Sequence, residues 1–188
     1  MNDLNIALVH FPVLNKLGET VTTSVTPFDI HDISRSSLTF GVKNFFIVNP
    51  SEKQKKVLDR ISSFWKSGIG KDYNETRSQA FEIVKFTYSL EDAINELSIK
   101  HNSPVIKVAT SAKEYQLNKS ISIEDLCKLN LKNPILLIFG TGWGLSPDIF
   151  SSCDYILKPI KGLSDYNHLS VRSAVSIILY LISIQKVS

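Results

Sequence analysis

The sequence predicts an α/β fold, a mostly parallel sheet with helices on both faces. Three observations point there. Short apolar runs alternate with amphipathic ones along the chain. Some of those runs, Ile135 to Phe139 among them, carry no polar residue, as strands covered on both faces do. The intervening stretches open with helix-start chemistry.

In chain order, strands are expected at "NIALVH" (Asn5 to His10), "NFFIVN" (Asn44 to Asn49), "EIVKFT" (Glu82 to Thr87), "PVIKVAT" (Pro104 to Thr110), "PILLIF" (Pro134 to Phe139) and the short "YILK" (Tyr155 to Lys158). Helix starts lie between them. Thr26 is the expected N-cap of "TPFD", with Pro27 at the first helical position and Asp29 near the positive helix end. Ser51 and Gln54 read as a capping box, and "SLED" and "SIED", opened by Ser89 and Ser122, put carboxylates in a first turn. The helix of "LSVRSAVSIILYLISI" is apolar on more than one stripe: Val171, Ala174, Val175, Ile178, Leu179 and Ile182, with Ile177, Leu181 and Ile184 beside them. Such a helix is buried on more than one side.

With 188 residues, no linker composition and no internal repeat, one domain spanning 1–188 is expected. The 43% hydrophobic and 21% charged content is that of an ordinary soluble globular protein, and a net charge of +3 permits a polyanionic partner without demanding one. Cys127 and Cys153 form no CxxC unit and read as structural thiols of a reducing compartment, so a cytoplasmic location is expected. The start "NDLNIALVHF" lacks a basic n-region, and "AVSIILYLISI" falls short of the roughly 20 residues that cross a bilayer, so no membrane association is expected. The histidines and cysteines show no H-x-x-H, C-x-x-C or H-E-x-x-H spacing, and no metal is expected.

The most distinctive loop is "GTGWGLS", which follows the apolar run Ile135 to Phe139. Ligands of open α/β sheets sit at the carboxyl ends of strands, where this loop lies. Gly140, Gly142 and Gly144 can let backbone approach a ligand, or they can form a tight strand-to-helix turn with Ser146 capping the next helix. No lysine follows as in a Walker loop, and G-x-G-x-G on a late strand is not the Rossmann turn. A neutral, backbone-rich loop with a Trp suits a ligand recognised through an uncharged ring.

Three blocks make the chain recognisable: "ALVHFPVLNKLGETVTTSVTPFDIHDISRSSLTFGVKNFFIV", "LLIFGTGWGLSPDI" and "LKPIKGLSDYNHLSVRSAVSIIL". With "YNETRSQA" between them, the chain resembles the SPOUT superfamily of S-adenosylmethionine-dependent RNA methyltransferases over nearly its whole length. The resemblance implies a C-terminal deep trefoil knot, S-adenosyl-L-methionine as cofactor, tRNA or rRNA as substrate, and a homodimer through the C-terminal helix. It places cofactor contacts at Thr110, at Gly140, Gly142, Trp143, Gly144 and Leu145, at Ile160 and Lys161, and at Leu169 and Ser170. It also matches Arg35 to the arginine of the superfamily's N-terminal motif. Many ribose 2'-O-methyltransferases of the superfamily carry Asn where this chain has Ser170 and Ser where it has Arg172, so a ribose target does not carry over.

On the substrate side, Arg35 is the first candidate. A guanidinium does not serve as a base, so it would anchor phosphate or stabilise developing charge; alternatively it pairs on the surface with Asp32 or Asp29. Arg172, opening the last helix, either meets substrate or satisfies a neighbouring carboxylate. Histidine ordinarily titrates near about 6.5, which makes His168 and His10, ahead of His31, candidate bases. Asn15, Lys16 and Thr22 lie in a polar loop long enough to suggest a role. Trp65 and Tyr73 with Lys66 and Lys71 form either an RNA-facing patch or a solvated face. Two further readings are a non-catalytic RNA-binding or regulatory protein on the same fold, and a methyltransferase acting on something other than RNA.

Overall fold

The computed structural model describes residues 3–67, 69–115, 119–129 and 132–187. In chain order the elements are β1 (Leu4–Val9), β2 (Val13–Leu14), β3 (Thr20–Val21), α1 (Pro27–Thr39), β4 (Phe45–Val48), α2 (Glu52–Lys66), α3 (Ile69–Tyr73), α4 (Glu75–Phe81), β5 (Val84–Thr87) and α5 (Leu90–His101). They continue with β6 (Ile106–Ala109), β7 (Ser120–Ile121), α6 (Ile123–Lys128), β8 (Ile135–Gly140), α7 (Pro147–Ser152), β9 (Tyr155–Leu157) and α8 (Val171–Val187).

The expected parallel sheet is present, with seven strands in the order β5-β4-β1-β8-β6-β9-β7. Every ladder in it is parallel. Alternation along each strand splits the core in two. Ile6, Leu8, Phe45, Ile47, Leu137 and Phe139 face α1, α2, α4, α6 and α8, while Ala7, Val9, Phe46, Val48, Leu136 and Ile138 face α5 and α7. Central β1 and β8 pair from Leu4↔Ile135 to Val9↔Gly140, so the glycine that opens the Gly-rich loop sits beside the end of β1.

Helix starts follow the expected chemistry in most places. Thr26 accepts from the Asp29 amide, Ser89 and Asp92 close a reciprocal capping box, and Ser122 accepts from the Asp125 amide. Two expectations are corrected. Ser51 makes no side-chain cap, the Gln54 amide donating to its carbonyl at 3.0 Å, and Gln54 Oε1 closes no box but accepts from the Val25 amide at 2.8 Å, tying α2 to the segment entering α1. Ser146 stands at the N-cap of α7 without a side-chain bond, its hydroxyl buried and unpartnered.

Helix α8 buries Val175, Ile178, Leu179 and Ile182 and leaves Tyr180 exposed, with Ile177 and Leu181 half-buried. It packs against α1, where Ser36 and Ser176 share a hydroxyl–hydroxyl bond of 2.8 Å. No helix among the described residues is long and apolar enough to cross a membrane. Cys127 and Cys153 form no disulfide among the described residues, and burial pushes the Cys153 thiol up to about 11.

Candidate active site

Strands β8, β6 and β9 are neighbours, and all point the same way, so the loops that leave their C-terminal ends open on one edge of the sheet. This juxtaposition unites the residues expected to hold a cofactor: Thr110 after β6, Gly140 to Leu145 at β8, and Ile160, Lys161, Leu169 and Ser170 between β9 and α8. Two cross-loop bonds join the segments after β6 and β9. Asn167 Nδ2 donates to Ala112 O at 2.9 Å, and Lys161 Nζ meets Glu114 Oε2 at 2.8 Å. The Lys161 ammonium holds the Glu114 carboxyl below its ordinary range through that hydrogen bond. Thr110 spends its hydroxyl on Ile138 O at 2.9 Å, strapping β6 to β8, and Ser170 Oγ caps α8 by accepting from the Ser173 amide.

The glycines of the loop serve a different neighbour from the one expected. A Cβ on Gly142, whose φ is +59°, would stand 2.9 Å from Leu14 O, and one on Gly140 would stand 2.7 Å from the Leu145 amide nitrogen. Both make room for protein backbone. Only Gly144, at φ +106°, is open on its Cβ side. The partner is a small antiparallel hairpin, β2–β3, which pairs Val13 with Val21 and Leu14 with Thr20. It reaches the loop through Leu14 N to Gly144 O and Trp143 N to Leu14 O, both 2.9 Å. The Thr141 and Gly144 amides are also spent inside the protein, on Val9 O and Thr141 O. A phosphate nest needs successive free amides, so the loop suits a neutral ligand.

Beneath the loop runs a chain missed by sequence reasoning: His10 Nδ1 to Thr23 Oγ1 at 2.9 Å, and Thr23 Oγ1 to Thr141 Oγ1 at 2.5 Å. Thr141 donates to Val9 O. With that proton committed, Thr23 donates to Thr141, and His10 donates from Nδ1 to Thr23. Nε2 is left as a buried lone pair without a partner, which costs less than a buried unpaired N–H. His10 is 1% exposed, and burial pushes its pKa down to about 4 against the opposing pull of Asp29. It is therefore a neutral, sealed imidazole. No sequence signal marked Thr23 or Thr141, since threonines in loops are commonplace.

The arginines meet on the other side. Arg35 and Arg172 line one cleft of about 620 Å³ between α1 and α8, with Asp32, Ser36 and Phe40. Arg172, not Arg35, takes the carboxylates: Nη1 meets Asp32 at 2.9 Å and Nε meets Asp29 at 3.5 Å. Arg35 is exposed and makes no ion pair or side-chain hydrogen bond among the described residues. Of the cations lining the cleft among the described residues, Arg35 is the one without a carboxylate partner. His168 is exposed in the loop before α8, edge-on to Tyr166 at 5.5 Å.

Two other expected groups are drawn into packing. His31 lies edge-on to Trp65 and Phe81, and burial, then the Arg77 charge, pushes its imidazole pKa down. Trp65 carries Arg77 over its ring at 4.4 Å, and Lys66 pairs with Glu82. Trp65 is thus half-buried in the α1–α2–α4 contact, and of the supposed RNA-facing patch only Tyr73 and Lys71 remain exposed. No group of acidic, histidine or cysteine side chains placed to hold a metal occurs among the described residues.

A parallel sheet with three loops leaving neighbouring strand ends defines an α/β protein whose candidate binding edge lies there. Residues 3–182 match the family model described as SAM-dependent RNA methyltransferase, and the chain belongs to that family. It is 40% identical over 94% of its length to a tRNA (guanine-N(1)-)-methyltransferase of Oleidesulfovibrio alaskensis, spanning only 41% of that protein. It is 36% identical over 93% of its length to an uncharacterized protein of Aquifex aeolicus, spanning 85% of it. In fold it is similar to the SpoU methyltransferase AviRb from Streptomyces viridochromogenes, solved with AdoMet, at a TM-score of 0.64 and 17% identity, covering 100% of this chain and 59% of that one.

Proposed function

We propose that this chain transfers a methyl group from S-adenosyl-L-methionine to tRNA, with the loops after β6, β8 and β9 as the cofactor cradle. One observation carries the reading: those loops converge at neighbouring strand ends, and their composition and spent amides suit a neutral nucleoside. The cofactor supplies a methyl group activated on a sulfonium, leaving the protein to align and to stabilise. Ile160 and Leu169 give apolar surface to the adenosyl ring, and Gly144 leaves it room. The tRNA (guanine-N(1)-)-methyltransferase relative motivates tRNA over rRNA; the chain spans about two fifths of that protein, so the guanine N1 position is not carried over.

Arg35, unpaired in the α1–α8 cleft, holds substrate phosphate or developing charge, while Arg172, fixed by Asp29 and Asp32, shapes the same cleft. His168 is the exposed imidazole on the cradle side. The trefoil knot belongs to the same proposal, with α8 passing through the preceding loop. Leu38 and Tyr180, exposed beside the cleft, give the apolar edge of a homodimer in which the cleft faces a second copy. A cytoplasmic setting accords with cysteines that form no disulfide among the described residues.

Replacing Arg35 by alanine is expected to lower methyl transfer to unfractionated tRNA roughly 100-fold, with S-adenosylhomocysteine binding unchanged by calorimetry. Full activity would remove Arg35 from the site. For the dimer, sedimentation should show a two-fold assembly that Tyr180→Glu converts to monomer; a wild-type protein monomeric at micromolar concentration contradicts it.

A further inference from the structure

The connection from β1 to α1, residues 10–26, far exceeds the roughly two to six residues usual for a βα loop. It is an ordered arm. Val13 is fully buried in the core cluster facing α5 and α7. The Gly-rich turn acts as a third strand of its hairpin through the two Leu14 bonds, the Val13–Leu145 bridge and Ser146 N to Pro12 O at 3.4 Å. At the tip, Asn15 Oδ1 accepts from the Leu17 and Glu19 amides at 2.8 and 3.0 Å, and its Nδ2 donates to Glu19 Oε2 at 2.7 Å. Gly18 supplies the left-handed turn at φ +81°.

This well-fastened tip holds Leu17 out of the core, 80% exposed. Beside it Lys16 is exposed, with no ion pair or side-chain hydrogen bond among the described residues. The same edge of the sheet presents Trp143, Tyr166, Leu163 and Leu169, 58%, 74%, 111% and 46% exposed. Charge at this edge is scattered rather than continuous: Lys161 is paired with Glu114, while Lys16, Lys113 and Lys158 are exposed and make no ion pair among the described residues. An apolar and aromatic rim with scattered charge suits the faces of unstacked bases better than a run of duplex phosphates.

We propose that the β2–β3 hairpin is an RNA-recognition arm, in which Leu17 packs on an unpaired base flanking the target nucleotide and Lys16 takes a neighbouring phosphate. The inference rests on the reading of the chain as an RNA methyltransferase. Because the arm is bonded to the Gly-rich turn, it sets the flanking nucleotide at a fixed distance from the cofactor cradle.

The test compares wild type, Leu17→Ala/Lys16→Ala, Lys16→Ala and Asn15→Ala. It measures calorimetric binding of S-adenosylhomocysteine, thermal stability, and binding of unfractionated tRNA, a mixed-sequence single-stranded RNA and the same RNA as duplex. Wild type is expected to prefer the single strand over the duplex at least tenfold. The double variant should bind tRNA and single strand about 5- to 20-fold more weakly, with cofactor affinity and Tm unchanged, and Lys16→Ala alone should lower the salt slope by about one. Asn15→Ala should weaken RNA binding although it removes no group offered to RNA. Wild-type RNA affinity in the double variant, or a preference for duplex, overturns the arm while leaving methyl transfer to tRNA intact. A wild-type protein that binds S-adenosylhomocysteine but no RNA overturns the arm and the RNA reading together.

Discussion

Gly140→Ala is expected to lose cofactor binding by at least a hundredfold and to melt roughly 5–10 °C below wild type. The new methyl group would stand 2.7 Å from the Leu145 nitrogen and 3.0 Å from the Gly144 carbonyl carbon. Both are backbone atoms, so no side-chain rotation relieves the contact and the turn itself must open. Opening moves Gly144, whose Cβ side is open and which the proposal sets against the adenosyl ring, and it strains the pairing with Leu14. Gly41→Ala is the control. Gly41 has φ +74° with nothing near its Cβ position, so alanine there costs stability through left-handed backbone alone, about 1–2 kcal/mol, just beyond α1. It should melt lower than wild type yet bind S-adenosylhomocysteine normally. If both variants bind alike, the Gly-rich turn does not form the cradle.

A second large effect is expected with pH. The His10 pKa lies near 4 in the folded chain and near about 6.5 when unfolded. The unfolded state therefore binds the extra proton first as pH falls. Stability owed to His10 is fully present above pH ~6.5 and declines as pH drops toward about 4, by about 3 kcal/mol in total. His10→Asn keeps a donor for Thr23 Oγ1 but cannot titrate. Urea unfolding of both proteins between pH 7 and 4 should show a fall in wild type that is shallower by that amount in the variant, with any packing loss constant across pH. Parallel curves would mean that His10 is not sealed as described. The same burial argues against His10 as the base of the reaction and for its role in locking β1, the hairpin and the Gly-rich turn together.

The sheet was legible because its strands are long apolar runs: the expected "NIALVH", "PILLIF" and "YILK" correspond to β1, β8 and β9 within a residue or two. The hairpin was not, since β2 and β3 have two residues each, too few to show alternation, although Asn15 and Gly18 carry the turn chemistry that a closer reading could have weighed. Gln54 illustrates a tertiary demand overriding a local pattern: its side chain is worth more to the Val25 amide, which has no strand partner, than to a box that Ser51 can forgo. That the loops after β6, β8 and β9 leave neighbouring strand ends follows from the expected strands, but two details of the loops were invisible in one dimension. Spacing cannot tell whether a glycine yields to a ligand or to a neighbouring backbone, and it cannot choose which of two arginines, Arg35 or Arg172, wins Asp29 and Asp32.

The measurement that bears most directly on the central claim is calorimetric titration of the wild-type protein with S-adenosylhomocysteine, with ATP and NAD as controls. Selective micromolar binding that Gly140→Ala abolishes and Gly41→Ala retains is the expected result. A folded wild-type protein that takes up no adenosyl ligand, or that binds ATP and NAD equally well, contradicts the cradle.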